Sequence, residues 1–130
     1  MFFGIPIFFA IPSVRLALGA AAVAALAACS GGEDAREVRF RSHDYAYSGL
    51  DGFTATAGEK VEFVMANDGP ADHEFEVFGP DGKAIDEIEP LHAGKSDRLT
   101  LTLRRPGTYT YVCGVSDHEE RGMKGTFVVR

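Results

Sequence analysis

The sequence predicts an all-β fold, a Greek-key β-sandwich of seven to eight short strands. Apolar and polar residues alternate along short runs, most regularly in DRLTLTL at residues 97–103. Gly, Pro, Asn and Asp residues interrupt these runs at short intervals, which is typical of turns between antiparallel strands. After residue 36, no stretch has a helical period long enough to predict a helix. One domain of this length can bury a modest core between two sheets.

The strands follow from this alternation in chain order. Clear runs are EVRFR (37–41), KVEFVMAN (60–67), HEFEVF (73–78), DRLTLTL (97–103), GTYTYVC (107–113) and GTFVVR (125–130). Weaker runs are GFTATA (52–57) and KAIDEI (83–88). Aromatic residues at alternating strand positions are expected to pack in the core or on a sheet face: Phe63, Phe75, Tyr109, Tyr111 and Phe127.

Residues 1–29 are predicted to be an export signal. Arg15 is followed by an apolar run from Leu16 to Ala28, which fits a signal peptide and is short for a membrane span of about 20 residues. The run ends in LAAC, which resembles the lipobox of bacterial lipoproteins, where the cysteine is lipidated and becomes the first mature residue. We therefore expect Cys29 to carry a lipid anchor in a membrane facing the periplasm or the cell exterior. An ordinary secretory signal ending in cysteine is the alternative.

The regions on either side of this signal are also distinctive. Residues 1–13 are apolar, contain two prolines and lack a basic residue, so we hypothesise that translation starts near Val14. Residues 30–36 are polar and are predicted to form a flexible tether. Residues 37–130 are then the folded domain.

The net acidic charge of the chain limits the kinds of partner that it is expected to bind. The chain has 13 basic and 19 acidic residues, and all the bases except Arg15 follow residue 29. A nucleic-acid-binding protein would need a basic face, so this class is not expected. An acidic surface suits a soluble, monomeric domain that pairs transiently with a basic partner.

The two cysteines have different predicted roles. If Cys29 is lipidated, Cys113 is left as a single thiol in an oxidising compartment, where disulfides would otherwise form. An exposed free thiol there would oxidise. Cys113 is therefore expected to be either buried and inert or bound to a metal.

A metal is suggested by the segment YVCGVSDHEERGMKG at residues 111–125. Four residues separate Cys113 from His118, and four more separate His118 from Met123. The segment joins the last two predicted strands, so it must form a loop at one end of the sandwich. A fourth ligand should come from another loop at that end, and His73 follows the turn residues NDGPAD there.

One thiolate, two imidazoles and a weak axial thioether describe a type 1 copper site. Zinc is the competitor, but structural zinc prefers four ligands from Cys and His. His43 and His92 lie in polar contexts typical of surface residues, and His92 is the alternative ligand if His73 is not one.

The chain resembles the cupredoxins in two segments. Residues 107–129 resemble their C-terminal copper motif, and residues 58–78 resemble the segment that carries their first histidine. The C-x4-H-x4-M spacing is most similar to rusticyanin-like members, since plastocyanin-like members have a shorter gap from Cys to His. The resemblance covers residues 37–130.

This resemblance implies a copper-binding β-sandwich that transfers single electrons. The implied ligands of its one type 1 copper ion are His73, Cys113, His118 and Met123. The outer edge of the His118 imidazole would be the point of electron entry and exit. Two departures concern the surroundings: Ser116-Asp117 stands where many relatives have Pro-Gly, and Glu74 where an asparagine often ties the two ligand loops together.

The function expected from these features is electron transfer between redox proteins in the cell envelope, with a basic c-type cytochrome as one candidate partner. Acidic residues flank both histidines and would guide such a partner: Asp72, Glu74, Glu76, Asp117, Glu119 and Glu120. The alternatives are a copper carrier in envelope metal homeostasis and a metal-free module that binds other proteins. Catalysis is not expected. A multicopper oxidase or nitrite reductase needs a His-Cys-His step, whereas Val112 and Gly114 flank Cys113.

Overall fold

A computed structural model of the protein describes Met1 and residues 34–130. The predictions of an export signal, a lipidated Cys29 and a translation start near Val14 fall outside these residues. The first strand begins at Arg36, within the predicted tether of residues 30–36. Within residues 34–130, no helix has the length and apolarity needed to cross a lipid bilayer.

The described residues form nine strands, and the predicted all-β fold is confirmed. In chain order these are β1 (Arg36–His43), β2 (Ala46–Ser48), β3 (Thr54–Ala55), β4 (Glu59–Asn67), β5 (His73–Phe78), β6 (Ala84–Leu91), β7 (Ser96–Leu103), β8 (Gly107–Val112) and β9 (Lys124–Val129). Every predicted run overlaps one of them, with boundaries that differ by up to three residues. The additional strand is β2, whose three residues are too few to show alternation.

The strands form two sheets, with the orders β2-β1-β4-β7 and β3-β9-β8-β5-β6. Most neighbours are antiparallel, but β1 pairs with β4 and β3 pairs with β9 in parallel. The turn residues indicated antiparallel neighbours, and these two pairs are parallel instead. Because β3 belongs to the second sheet, the chain leaves the first sheet after β2 and re-enters it as β4, and this crossover is what a parallel pair requires.

The core lies between the sheets and is rich in aromatic rings. The five aromatic residues expected to pack are buried, which confirms that expectation: Phe63, Phe75, Tyr109, Tyr111 and Phe127. Their rings contact one another at centroid distances such as 5.3 Å for Phe75 and Tyr111. Burying one such ring stabilises the fold by about 1.5–3 kcal/mol. The result is a packed support beneath the loops that follow β8 and precede β5.

Candidate metal centre

Three of the predicted ligands come together at one end of the sandwich. His73 is the first residue of β5, Cys113 directly follows β8, and His118 lies in the ligand loop, residues 113–123. The Cys113 Sγ atom lies 3.4 Å from Nδ1 of His118 and 3.9 Å from Nδ1 of His73. One ligand atom from each residue falls within 4.8 Å of the others. Two segments that are 40 residues apart in sequence therefore converge on one point.

The group is shielded from water. His73 and Cys113 are 0% exposed, and His118 is 5% exposed. Met123, the fourth residue implied by the resemblance, is also 0% exposed. Its backbone N–H donates to the His118 carbonyl at 3.0 Å, and its carbonyl accepts from the Cys113 N–H at 3.0 Å. These two bonds close the ligand loop on itself and hold its ends together.

The ligand loop makes its tight turn without the Pro-Gly of many relatives. Ser116 adopts a positive φ of 51°, and Gly122 has a φ of 98°. The N–H of His118 donates to the Val115 carbonyl at 3.1 Å, and this bond closes the turn that carries the imidazole. This left-handed conformation is uncommon for a residue with a Cβ atom, but serine can adopt it because its side chain is neither bulky nor branched at Cβ.

Glu74 ties the two ligand-bearing segments together. Its backbone N–H points at Cys113 Sγ from 3.5 Å, and its carboxylate accepts a hydrogen bond from the Gly114 N–H at 2.6 Å. A Cβ atom at position 114 would lie 2.3 Å from Oε1 of Glu74, so a side chain there would displace the carboxylate and break this bond. Glu74 therefore makes the connection that the resemblance assigns to an asparagine, with an ionised side chain in its place.

The other nitrogen of His73 also has a fixed partner. Nε2 of His73 lies 2.8 Å from the carboxylate of Asp44, in the turn between β1 and β2. The loop before His73 is held by the buried Asn67, whose amide donates to the carbonyls of Ala71 and Leu91 at 2.8 and 2.7 Å. The backbone that delivers His73 is thus fixed by hydrogen bonds on both sides.

The turn and strand around β2 supply the residues that sequence reasoning missed. The Tyr47 hydroxyl donates to the Glu74 carbonyl, and its ring packs edge-on against Tyr111 at 5.5 Å. The Tyr45 ring meets the His118 imidazole at 4.8 Å, and the Arg121 guanidinium lies 4.3 Å from the Tyr45 ring centroid. The pattern of residues 44–47 does not indicate that they lie beside the site.

Electrostatics and distances both fit a single bound cation. Burial raises the pKa of the Cys113 thiol, and it lowers the pKa of His73 against the opposing effect of the hydrogen bond that His73 donates to Asp44. A cation would supply the positive charge that a buried thiolate needs. Metal bonds of about 2.1 Å to nitrogen and about 2.3 Å to sulfur separate neighbouring ligand atoms by about 3.5–3.8 Å. The observed 3.4 and 3.9 Å agree with one shared ion.

The donor set favours copper over structural zinc. In the part of the chain that the structure describes, no fourth His, Cys, Asp or Glu atom joins this group. A closed zinc site would need that fourth ligand. The alternative ligand His92 has a side chain that is 80% exposed and pairs with Asp72, and His43 is also exposed. Neither belongs to the group.

The acidic residues that flank the two histidines in sequence differ in their contacts. Near His118, Asp117 pairs with Arg121 at 2.8 Å and Glu119 pairs with Lys124 at 3.7 Å. On β5 and β6, the carboxylates of Glu74, Glu76 and Glu87 lie within 4.8 Å of one another, and we call these three residues the acidic face. Burial and the neighbouring carboxylates raise the pKa of Glu76 and Glu87.

Comparison with known proteins identifies the family to which this chain is similar. The sequence model of the cupredoxin-like domain matches residues 14–129. Plastocyanin from Dryopteris crassirhizoma is 30% identical over 88 residues, which cover 62% of this chain and 84% of that protein. The copper-resistant cuproprotein CopI from Rubrivivax gelatinosus is 28% identical over 92 residues, covering 59% of this chain and 56% of that protein.

A solved structure shows the same fold. Auracyanin from the photosynthetic bacterium Roseiflexus castenholzii, reduced with dithionite, superposes with a TM-score of 0.66 at 23% sequence identity. The match covers 74% of this chain and 98% of auracyanin. With the family match over residues 14–129 and a buried His-Cys-His group in the described domain, the chain belongs to the cupredoxin-like family.

Proposed function

We propose that the protein is a type 1 copper protein that transfers single electrons between redox proteins in the cell envelope. His73, Cys113 and His118 would bind one copper ion, with Met123 as the weak axial ligand. The observation that carries this proposal is the convergence of Cys113 Sγ with Nδ1 of both histidines in a group closed to water. The similarity to plastocyanin supports the same function.

The ligand types suit both oxidation states of copper. Bound there, copper would alternate between Cu(I) and Cu(II) and so accept and release one electron. Thiolate and thioether favour Cu(I), while imidazole accepts both states. Cys113 and His73 are held by hydrogen bonds from Glu74 and to Asp44, so these ligands would move little when the charge changes. Small ligand movement keeps the reorganisation energy of electron transfer low.

His118 is the proposed point of electron entry and exit. It is 5% exposed, whereas His73 is fully buried, so of the two histidines it is the one closer to the protein surface. Tyr45 lies against its ring and narrows the exposed edge. A partner protein would have to dock over this end of the sandwich.

A direct electrochemical measurement tests the proposal. The copper-loaded protein should give a reversible one-electron couple, and Cys113→Ser should lose it because the thiolate is the strongest link to the metal. His92→Ala is the matched control, since His92 is exposed and outside the group. An irreversible couple, or one that survives Cys113→Ser, would reject the proposal.

The acidic face supports a basic redox partner, such as a c-type cytochrome. Like charges at Glu76 and Glu87 sit directly opposite each other across β5 and β6, an arrangement that a positively charged partner would relieve. Replacing both with glutamine should slow electron transfer to a basic cytochrome at low ionic strength. Glu37→Gln is the control, because it also replaces a glutamate with glutamine but lies on the other sheet. A rate indifferent to salt would contradict this docking.

Membrane anchoring through Cys29 is a further part of the proposal. A lipid at this residue would tether the domain to the membrane through residues 30–36. Mass spectrometry of the mature N-terminus should find a diacylated or triacylated cysteine, and Cys29→Ser should release the protein from the membrane fraction. An unmodified N-terminus elsewhere would reject the anchor.

A copper carrier is the second candidate function, and the similarity to CopI, described as a copper-resistant cuproprotein, favours it. The same residues would hold copper without redox turnover. Transfer of Cu(I) to an acceptor within seconds, together with slow electron exchange, would support the carrier. Retention of Cu(I) in the presence of an acceptor, with fast electron exchange, would support the electron-transfer protein.

A further inference from the structure

We propose that Asp44 is a positioning residue for His73 and that it biases the copper centre toward the oxidised state. Its carboxylate would hold the imidazole in the tautomer that presents Nδ1 to the metal. The effect on copper rests on the proposed function, whereas the effect on the tautomer is a property of the protein chain alone.

The geometry around His73 leaves each ring nitrogen one role. Nδ1 faces Cys113 Sγ at 3.9 Å, and Nε2 lies 2.8 Å from Oδ1 of Asp44. A neutral imidazole has one protonated nitrogen and one acceptor nitrogen, and an ionised carboxylate can only accept. The proton therefore belongs on Nε2, and the Nδ1 lone pair points into the site.

His118 provides the contrast within the same molecule. Its Nδ1 faces Cys113 Sγ at 3.4 Å, as that of His73 does. Among the described residues, however, no carboxylate pairs with its other nitrogen, and its ring instead meets the edge of Tyr45. The anionic partner thus belongs to one of the two imidazoles, the one that is fully buried.

The fold makes room for the bond between Asp44 and His73 at Gly69. A Cβ atom at position 69 would lie 2.7 Å from Oδ1 of Asp44 and 2.9 Å from Nε2 of His73. Space, and not a left-handed backbone, demands glycine here, since Gly69 is not among the residues with positive φ. The Gly69 N–H donates to Oδ1 of the buried Asn67 at 2.9 Å, and this bond holds the Gly69 backbone close to Asp44 and His73.

A carboxylate in this position should stabilise the oxidised form of the bound metal. A carboxylate that accepts from a ligating histidine raises the basicity of the ligand and adds negative charge near the metal. Both effects stabilise Cu(II) more than Cu(I), because the doubly charged ion is attracted more strongly to negative charge. The side chain of Asp44 is only 26% exposed, so water screens this charge incompletely.

Three substitutions separate the hydrogen bond from the charge. Asp44→Asn keeps the shape and removes the charge; Gly69→Ala keeps the charge and pushes the carboxylate away. Asp72→Asn is the control, because Asp72 adjoins His73 in sequence but pairs with the exposed His92. Loss of such a partner lowers metal affinity about 10–100-fold. A tenfold loss confined to Cu(II) raises the potential of a one-electron couple by about 59 mV.

Two measurements test whether Asp44 lowers the potential of the copper centre and fixes the tautomer of His73. In the copper-loaded protein, Asp44→Asn and Gly69→Ala should both raise the potential, and Asp72→Asn should change it much less. In the metal-free protein, nitrogen NMR should show His73 protonated at Nε2, and Asp44→Ala should give a mixture of tautomers.

Equal shifts in Asp44→Asn and Asp72→Asn, or an unchanged tautomer in Asp44→Ala, would overturn the proposal. If the unmodified protein forms no type 1 copper centre, the proposed function fails. The NMR result on the metal-free protein still decides whether Asp44 positions His73.

Discussion

The two histidines of the site present the same nitrogen to Cys113 but differ in everything behind it. His73 starts a strand, is fully buried and pairs with a carboxylate at 2.8 Å. His118 sits in a loop, keeps 5% of its surface exposed and rests on the ring of Tyr45. A centre that must hold an ion rigidly and still exchange electrons with another protein needs one ligand of each kind. Under the proposed function, this difference would assign anchoring of the ion to His73 and contact with a partner to His118.

Removing the anchor should have the largest effect. His73→Ala deletes a ligand at the most enclosed position and leaves a cavity that water can enter, so Cu(II) binding should weaken at least about 10-fold. The bound copper should change from a thiolate-dominated to an ordinary Cu(II) EPR spectrum. Copper titration followed by EPR measures both changes, and His92→Ala should show neither. Retention of the unmodified spectrum by His73→Ala would remove His73 from the ligand set.

Changing the axial position should alter the potential but not copper binding. Met123→Leu conserves volume at a fully buried residue, so the free energy of unfolding should fall by less than about 1.5 kcal/mol. Because the nature of this fourth ligand tunes the redox potential, its replacement should shift the potential of the copper centre. Voltammetry of the copper-loaded variant measures this shift. An unchanged potential would mean that Met123 is only a core residue.

Untying the two ligand segments should have a moderate effect on stability. Glu74→Ala removes the carboxylate that accepts from the Gly114 N–H and should lower the free energy of unfolding by about 1 kcal/mol, since the bond is partly open to water. Glu74→Gln should retain most of this stability, because its amide oxygen can accept the same bond. Urea denaturation of the metal-free protein measures both. If Glu74→Ala is as stable as the unmodified protein, the bond contributes nothing to stability.

Uncovering His118 should have the smallest effect. Tyr45→Leu removes the ring between Arg121 and His118 and should cost about 0.5–1 kcal/mol of stability. The exposed imidazole edge could then approach a partner more closely, so the electron self-exchange rate should increase while the absorption spectrum stays the same. Tyr45→Phe keeps the ring and should behave like the unmodified protein. A slower exchange in Tyr45→Leu would instead indicate that the ring conducts the electron.

Alternation along the chain was sufficient to predict most strands, because each buried face repeats every second residue in runs such as β7. The spacing of Cys113, His118 and Met123 led to the prediction of one loop around one point, and in the structure Cys113 Sγ and His118 Nδ1 lie 3.4 Å apart. Alternation contains no information on which strands pair, so the parallel pairing of β1 with β4 was not predicted. Strand β2 is too short to show a period.

The surroundings of the site were harder to predict for a related reason. Asp44 reaches His73 across 29 residues of sequence, and nothing in its local pattern distinguishes it from an ordinary turn residue. Ion pairing is equally hidden: Asp117 seemed available to guide a partner, but in the fold it pairs with Arg121. The connection made by Glu74 was also not predicted. The family pattern has an asparagine at this position, and a residue of different charge gave no reason to expect an equivalent hydrogen bond.

The most direct test of the account is the absorption spectrum of the purified protein after addition of Cu(II). A type 1 centre at Cys113 predicts an intense visible band from charge transfer between the thiolate and copper, absent from Cys113→Ser and unchanged in His92→Ala. A colourless protein that binds Cu(II), or a band that persists in Cys113→Ser, would contradict the central claim that His73, Cys113 and His118 enclose one copper ion.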